Sequence, residues 1–167
     1  MIHFLSLTMF PVLMIVAGAG DALSLRIPNW LTGLIAVLFF PMAFATGMPL
    51  DLIGVHAATG LGLFFLGFAL FSVGLFGGGD AKLIAAAGLW FGWPDIMPFL
   101  VLTALAGGLL ALVIGIWSMI SMSAEIHYAS LAKRIVNLKP NVPYGYALAV
   151  GAILAFPQSW WMPGAVA

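Results

Sequence analysis

The chain of 167 residues contains no cysteine. That excludes disulfides, cysteine-ligated zinc and thiol catalysis together. Charge is nearly as scarce: charged side chains make up 6% of the sequence, against about 25% in a soluble domain. So few charges cannot cover a water-facing surface, and a soluble globular protein is excluded. The formal net charge is zero, which removes a polyanion-binding surface, and no nucleic-acid module is recognisable. The first twenty residues lack the basic n-region of a signal peptide, since Met1-Ile2-His3 leads straight into the apolar run. They read as a transmembrane helix that stays in the protein.

What is present is hydrophobicity, 64% of all residues, arranged in long runs. A bilayer-crossing helix needs about 20 apolar residues, whereas barrel strands would alternate in segments of about ten. The runs predict an all-α integral membrane protein of a single domain, 1–167, seated in the lipid bilayer. Its spans are expected near Ile2–Gly20, Trp30–Thr46, Leu52–Phe76, Ala81–Trp93, Ile96–Met122 and Val142–Trp160. The fourth is short enough to be re-entrant. The fifth is long enough to tilt or project.

Basic residues decide the fourth span. With six crossings, the loops 21–29, 77–82 and 123–141 share one face and hold Arg26, Lys82, Lys133, Arg134 and Lys139, every basic residue in the chain. The other face carries both termini and the turns at Asp51 and Asp95. This partition obeys the positive-inside rule, whereas a re-entrant fourth segment would put three of the five cations outside. Six transmembrane helices are therefore expected, with both termini outside and the basic loops cytoplasmic.

That topology pairs two acids. Asp21 ends the first span and Asp80 opens the fourth, at one depth on the cytoplasmic side. Ionisable groups at such positions are costly and mark functional sites. Two carboxylates sharing a site do not both ionise readily, so one holds a proton while the other serves as a base. Such a pair can activate water for peptide hydrolysis; ion or proton transport and helix capping are the competing readings. Asp80 follows Gly77-Gly78-Gly79, where missing side chains permit positive φ, close substrate approach or movement.

Other residues carry weaker signals. Lys82 lies off the Asp80 face of a helix and reads as an anchor to lipid headgroups. Pro28 reads as a rigid turn, Asn29 as a helix cap, and Tyr144 as an interfacial tyrosine within reach of the acids. Gly107, Ala111 and Gly115 form a small-residue stripe suited to helix packing. His3, His56 and His127 have no ligand spacing, so no metal site and no cofactor are expected. Lys133, Arg134 and Lys139 read as headgroup-binding residues that set topology.

Gly77-Gly78-Gly79-Asp80 fits the GxGD signature of membrane aspartyl proteases, and its continuation through Ala81-Lys82-Leu83 to Trp90 resembles the type IV prepilin peptidases. Asp21 with the downstream Ile27-Pro28-Asn29, and Val142-Pro143-Tyr144-Gly145-Tyr146-Ala147, are similar to two further elements of that family. The resemblance implies a GxGD-type helical bundle in the bacterial inner membrane, with Asp21 and Asp80 as the catalytic pair. Gly77, Gly79, Lys82, Pro28, Asn29 and Tyr144 would support them. The implied partner is a prepilin-like precursor, cut at the cytoplasmic face after a short basic leader and before the hydrophobic segment that the cut frees. Within the family the chain resembles the short forms associated with Flp/Tad-type pili. Larger members N-methylate the new terminus and carry paired Cys-x-x-Cys motifs; without cysteine, that second activity has no seat here. Archaeal preflagellin peptidases are a close alternative. A proton-linked transporter using the same two acids is the rival from another class.

Overall fold

The computed structural model describes residues 2–123 and 143–162. Those residues are all-helical, in the order α1 (Ile2–Ser24), α2 (Asn29–Ala45), α3 (Leu50–Ser72), α4 (Gly78–Ser123) and α5 (Tyr144–Ala155), followed by a 3₁₀ turn at Phe156–Gln158. Three helices are long and apolar enough to cross a membrane: Phe4–Ser24, Leu50–Ser72 and Gly78–Trp117. The connector 123–141, with Glu125, His127, Lys133, Arg134 and Lys139, lies outside the described residues apart from Ser123, as does the side chain of His3.

The sequence predicts six separate spans, and the described residues form five α-helices. The difference lies in α4, where the fourth and fifth expected spans follow one another with no loop between them. Gly92 interrupts the helix with φ 63 and ψ 175, a conformation that suits glycine alone. Contacts with α5 show that α4 doubles back there. Gly145, at the start of α5, faces Asp80, while Tyr144 and Ala147 lie against Gly107. Beyond the far end of α5, Trp161 meets Trp90 and Trp160 meets Asp95. One arm, 78–91, therefore runs away from the Asp80 end, and the other, 93–123, returns.

A break inside an apolar protein leaves backbone groups that must find partners. In a regular helix the Trp90 carbonyl would accept from residue 94, but Pro94 has no N–H. Trp161 fills the gap, donating Nε1–H to the Trp90 carbonyl at 2.6 Å. The Leu89 carbonyl takes His56 Nδ1 at 2.7 Å. A carbonyl can only accept, so Nδ1 carries the proton, and Nε2 is buried without a partner. Gly92 also makes room for this ring, since a Cβ there would meet His56 Nε2 at 2.5 Å.

Aromatic side chains pack around the break. Phe10 of α1 stacks on Trp90 at 4.9 Å and meets Phe91 edge-on at 5.7 Å, while Phe39 of α2 stacks on His56. Phe10 thus reaches α4 through its ring, while α1 itself packs on α5 and α2. Closer backbone approach is reserved for glycine. A Cβ at Gly67 would meet Ala81 Cα at 3.0 Å, and one at Gly88 would meet Leu63 Cδ1 at 2.6 Å, so α3 lies directly on the first arm of α4. The expected stripe in the fifth span is used only in part: Gly107 is buried against α5, but Ala111 is exposed.

Trp161→Phe removes the donor to the Trp90 carbonyl and keeps an aromatic ring. It is expected to lower the thermal unfolding midpoint in detergent, by about 1–3 kcal/mol of stability if the carbonyl is left unpaired. An unchanged midpoint would mean that the break does not depend on this bond.

Candidate active site

The two aspartates meet. Asp21, 5% exposed, and Asp80, partly buried, line one cleft of about 520 Å³ together with residues 24–29 and Gly77, Gly78 and Gly79. They are close enough for the charge of one to act on the other. Each is held by a helix N-terminus, where first-turn N–H groups lack intrahelical acceptors and the dipole favours an anion.

Asp21 sits in the last turn of α1, the end of a helix least suited to an acid. Its Oδ2 accepts the N–H of Gly145 at 2.8 Å, and the Tyr146 N–H also faces the carboxylate. These are first-turn amides of α5, whose preceding Pro143 has no N–H and supplies no side-chain cap. Asp21 thus caps a helix 124 residues away in the chain. Asp80 is the third residue of α4 and reaches back to the backbone of Gly77, as an acid does in a capping box. Gly145 faces this carboxylate as well, so a single amide stands between the two acids.

Close approach explains the glycines. A Cβ on Gly145 would lie 2.9 Å from Asp21 Cγ and 2.6 Å from Ile27 Cδ1. A Cβ on Gly77 would lie 2.5 Å from Asp80 Oδ2, and one on Gly79 would lie 3.2 Å from Ile27 Cβ. None of Gly77, Gly78 and Gly79 has positive φ, and α4 begins at Gly78. Of the freedoms that glycine permits there, positive φ is not used and close approach is: Gly77 gives space to the Asp80 carboxylate, Gly78 to Phe71 and Gly79 to Ile27, inside or beside the first helical turn. Positive φ falls instead on Leu25, at φ 53, where α1 ends. A non-glycine residue there costs about 1–2 kcal/mol. It turns the chain so that Ile27, 9% exposed, wedges between the starts of α4 and α5.

Pro28 and Asn29 follow. Pro28, extended at φ −63 and ψ 136, is the residue before α2, and no side chain caps that helix. The expected capping role of Asn29 is thus corrected: Asn29 is already helical, and its Oδ1 accepts a hydrogen bond from Lys82 Nζ at 2.8 Å. Lys82 therefore ties the start of α4 to the start of α2 beside the cleft. Tyr144 is 39% exposed with its ring 5.9 Å from Phe76. The contact to Asp21 comes from its neighbour Gly145. Sequence reasoning missed Gly145, Ile27 and Leu25 as site residues. Ile27 and Gly145 stand in two of the stretches that carry the family resemblance, but nothing in the sequence separates them from packing residues, and Leu25 carries no signal. Among the described residues, no three His, Asp or Glu side chains converge as metal ligands would.

Gly145→Ala places a methyl group against Asp21 and Ile27. Proteolytic activity is expected to fall by about 100-fold, the cost of misplacing a reacting group by about 1 Å. Gly62→Ala is the control, because a Cβ at Gly62 meets no atom within 4 Å. Both are read as product formed per amount of membrane-inserted protein.

The model of the type IV leader peptidase family matches residues 8–112, a stretch that contains both aspartates and ends before α5. No curated protein and no solved structure matches the chain. With two carboxylates sharing a cleft and a family match over more than half of its length, the chain belongs to the type IV leader peptidase family.

Proposed function

We propose that this peptidase is an aspartyl endopeptidase in which Asp21 and Asp80 act as one dyad, removing the short leader of a prepilin-like precursor. The carrying observation is the convergence of both carboxylates on one cleft about the Gly145 amide. In this reading the ionised member takes a proton from water, the water attacks the scissile carbonyl, and the protonated member donates to the leaving amine. The two titrate as a pair, and neither is assigned a fixed role. Gly78 and Gly79 contribute first-turn N–H groups beside the dyad, which suit the charge developing on the attacked oxygen. Gly77 and Gly79 leave room for the substrate backbone. Lys82 and Asn29 hold one wall, Pro28 sets its turn, and Tyr144 lies at its rim.

The proposed setting is the bacterial inner membrane, crossed six times, with the dyad at the cytoplasmic face and both termini periplasmic. The doubling back of α4 supports two crossings within that one helix. Arg26 and Lys82 lie at the dyad end, in keeping with a cytoplasmic assignment. Transport by the same acids finds less support. A relay needs polar groups continuing across the bilayer, yet Thr59 and Ser72 bond to Val55 and Ala69 of their own helix. No cofactor enters this mechanism.

Asp21→Asn and Asp80→Asn are each expected to reduce precursor processing by about 10²–10⁴-fold, the range of a lost general acid or base. The measurement is the size shift of a co-expressed precursor, with membrane insertion of the peptidase followed in parallel. Normal processing by either variant would sink the dyad.

A further inference from the structure

A second concavity, of about 700 Å³, lies between α2, α3 and the first arm of α4. Its walls are one stripe from each helix. Gly33 and Ala36 come from α2, Ala57 and Gly60 from α3, and Ala85 and Leu89 from α4, each pair three or four residues apart. From Asn29 to Phe40 the groove follows α2 for about 16 Å at the helical rise. Asn29 and Lys82 form its one polar end, and Asn29 also lines the cleft that holds the dyad. A further apolar groove, between α1 and α5 and lined by Ile15, Gly18 and Ile153, shares no lining residue with that cleft.

We infer that the groove between α2, α3 and α4 is the subsite for the apolar helix that follows the scissile bond, with the Lys82–Asn29 pair as the sill the substrate crosses. The inference rests on the peptidase reading and adds where the uncut part of the substrate lies. Three observations carry it. The groove joins the cleft at Asn29, so a chain engaged at the dyad can continue into it. It runs along the helix axes. Each of its three walls contributes small residues between larger apolar ones such as Phe40, Phe64 and Leu89, and in lipid, where apolar side chains gain little by association, small residues let helix backbones approach closely. Lys82 retains two further N–H donors beyond its bond to Asn29, suited to the backbone carbonyls of a chain passing from the cleft into the apolar groove.

Gly33 provides the test. It is exposed on the groove wall, and a Cβ added there meets no atom within 4 Å. Gly33→Leu therefore adds bulk to the groove at a position where its Cβ has room, and favours the helix. Two substrates are compared: a membrane-anchored precursor with its apolar helix, and a soluble peptide that ends a few residues after the scissile bond. Gly33→Leu should lower kcat/KM for the anchored precursor about tenfold or more, mainly through KM, and leave the short peptide unchanged. Equal rates on the precursor, or equal loss on both substrates, would overturn the inference.

A second measurement does not depend on cleavage. In the naturally cysteine-free chain carrying Asp80→Asn, a cysteine at position 33 should form a disulfide with one placed in the precursor's apolar helix, and a cysteine at position 153 should not. Crosslinking at 153, or at neither position, overturns the subsite. If wild-type enzyme cleaves neither substrate while position 33 crosslinks, the peptidase reading fails and the groove stands.

Discussion

The hydrogen bond from the Gly145 amide to Asp21 is the constraint on which the site depends. It joins the last turn of one helix to the first turn of another that begins more than a hundred residues later. It also sets an anion at the positive end of α5 and relieves the mismatch of an acid at the negative end of α1. Because the same amide faces Asp80, α5 acts as the spacer between the two carboxylates. The aspartates are neighbours because both are attracted to helix starts that meet at Ile27.

This architecture bears on which functional reading the molecule favours. A carboxylate tied to backbone amides keeps its position in either protonation state of the pair, which suits a reaction that must align water, carbonyl and acid at once. Elsewhere in the bundle, the Thr59 and Ser72 hydroxyls bond to their own helix, the buried Thr103 hydroxyl has no partner to relay to, and the interior is filled by stacked rings. The polar machinery is concentrated at one end. At the other, polar contacts serve the break in α4.

Much of this was legible in the sequence. Apolar run lengths located α1, α2, α3 and α5 to within a few residues, because lipid leaves the backbone no alternative to helix. The partition of Lys and Arg set Asp21 and Asp80 on one expected face, apart from Asp51 and Asp95, and these two line one cleft. Partner identity was less accessible. Asn29 has the side chain of a cap, yet Lys82, 53 residues away, takes its oxygen. Gly77, Gly78 and Gly79 look like a hinge, and only the packed structure reveals that carboxylate and isoleucine atoms occupy the space where side chains would stand. Gly92 gave no warning among 20 glycines, because its positive φ is stabilised by His56 and Trp161 from distant segments.

The break at Gly92 also has a consequence for the depth of the bundle. The arm of α4 that begins at Asp80, residues 78–91, rises only about 21 Å, whereas the hydrocarbon core of a bilayer is about 30 Å thick. From Ala81 to Phe91 most of its residues are buried, so neighbouring helices and not lipid surround the short element. A helix too short to reach across alone is covered by its neighbours, which leaves its acid-bearing end opening onto the cleft.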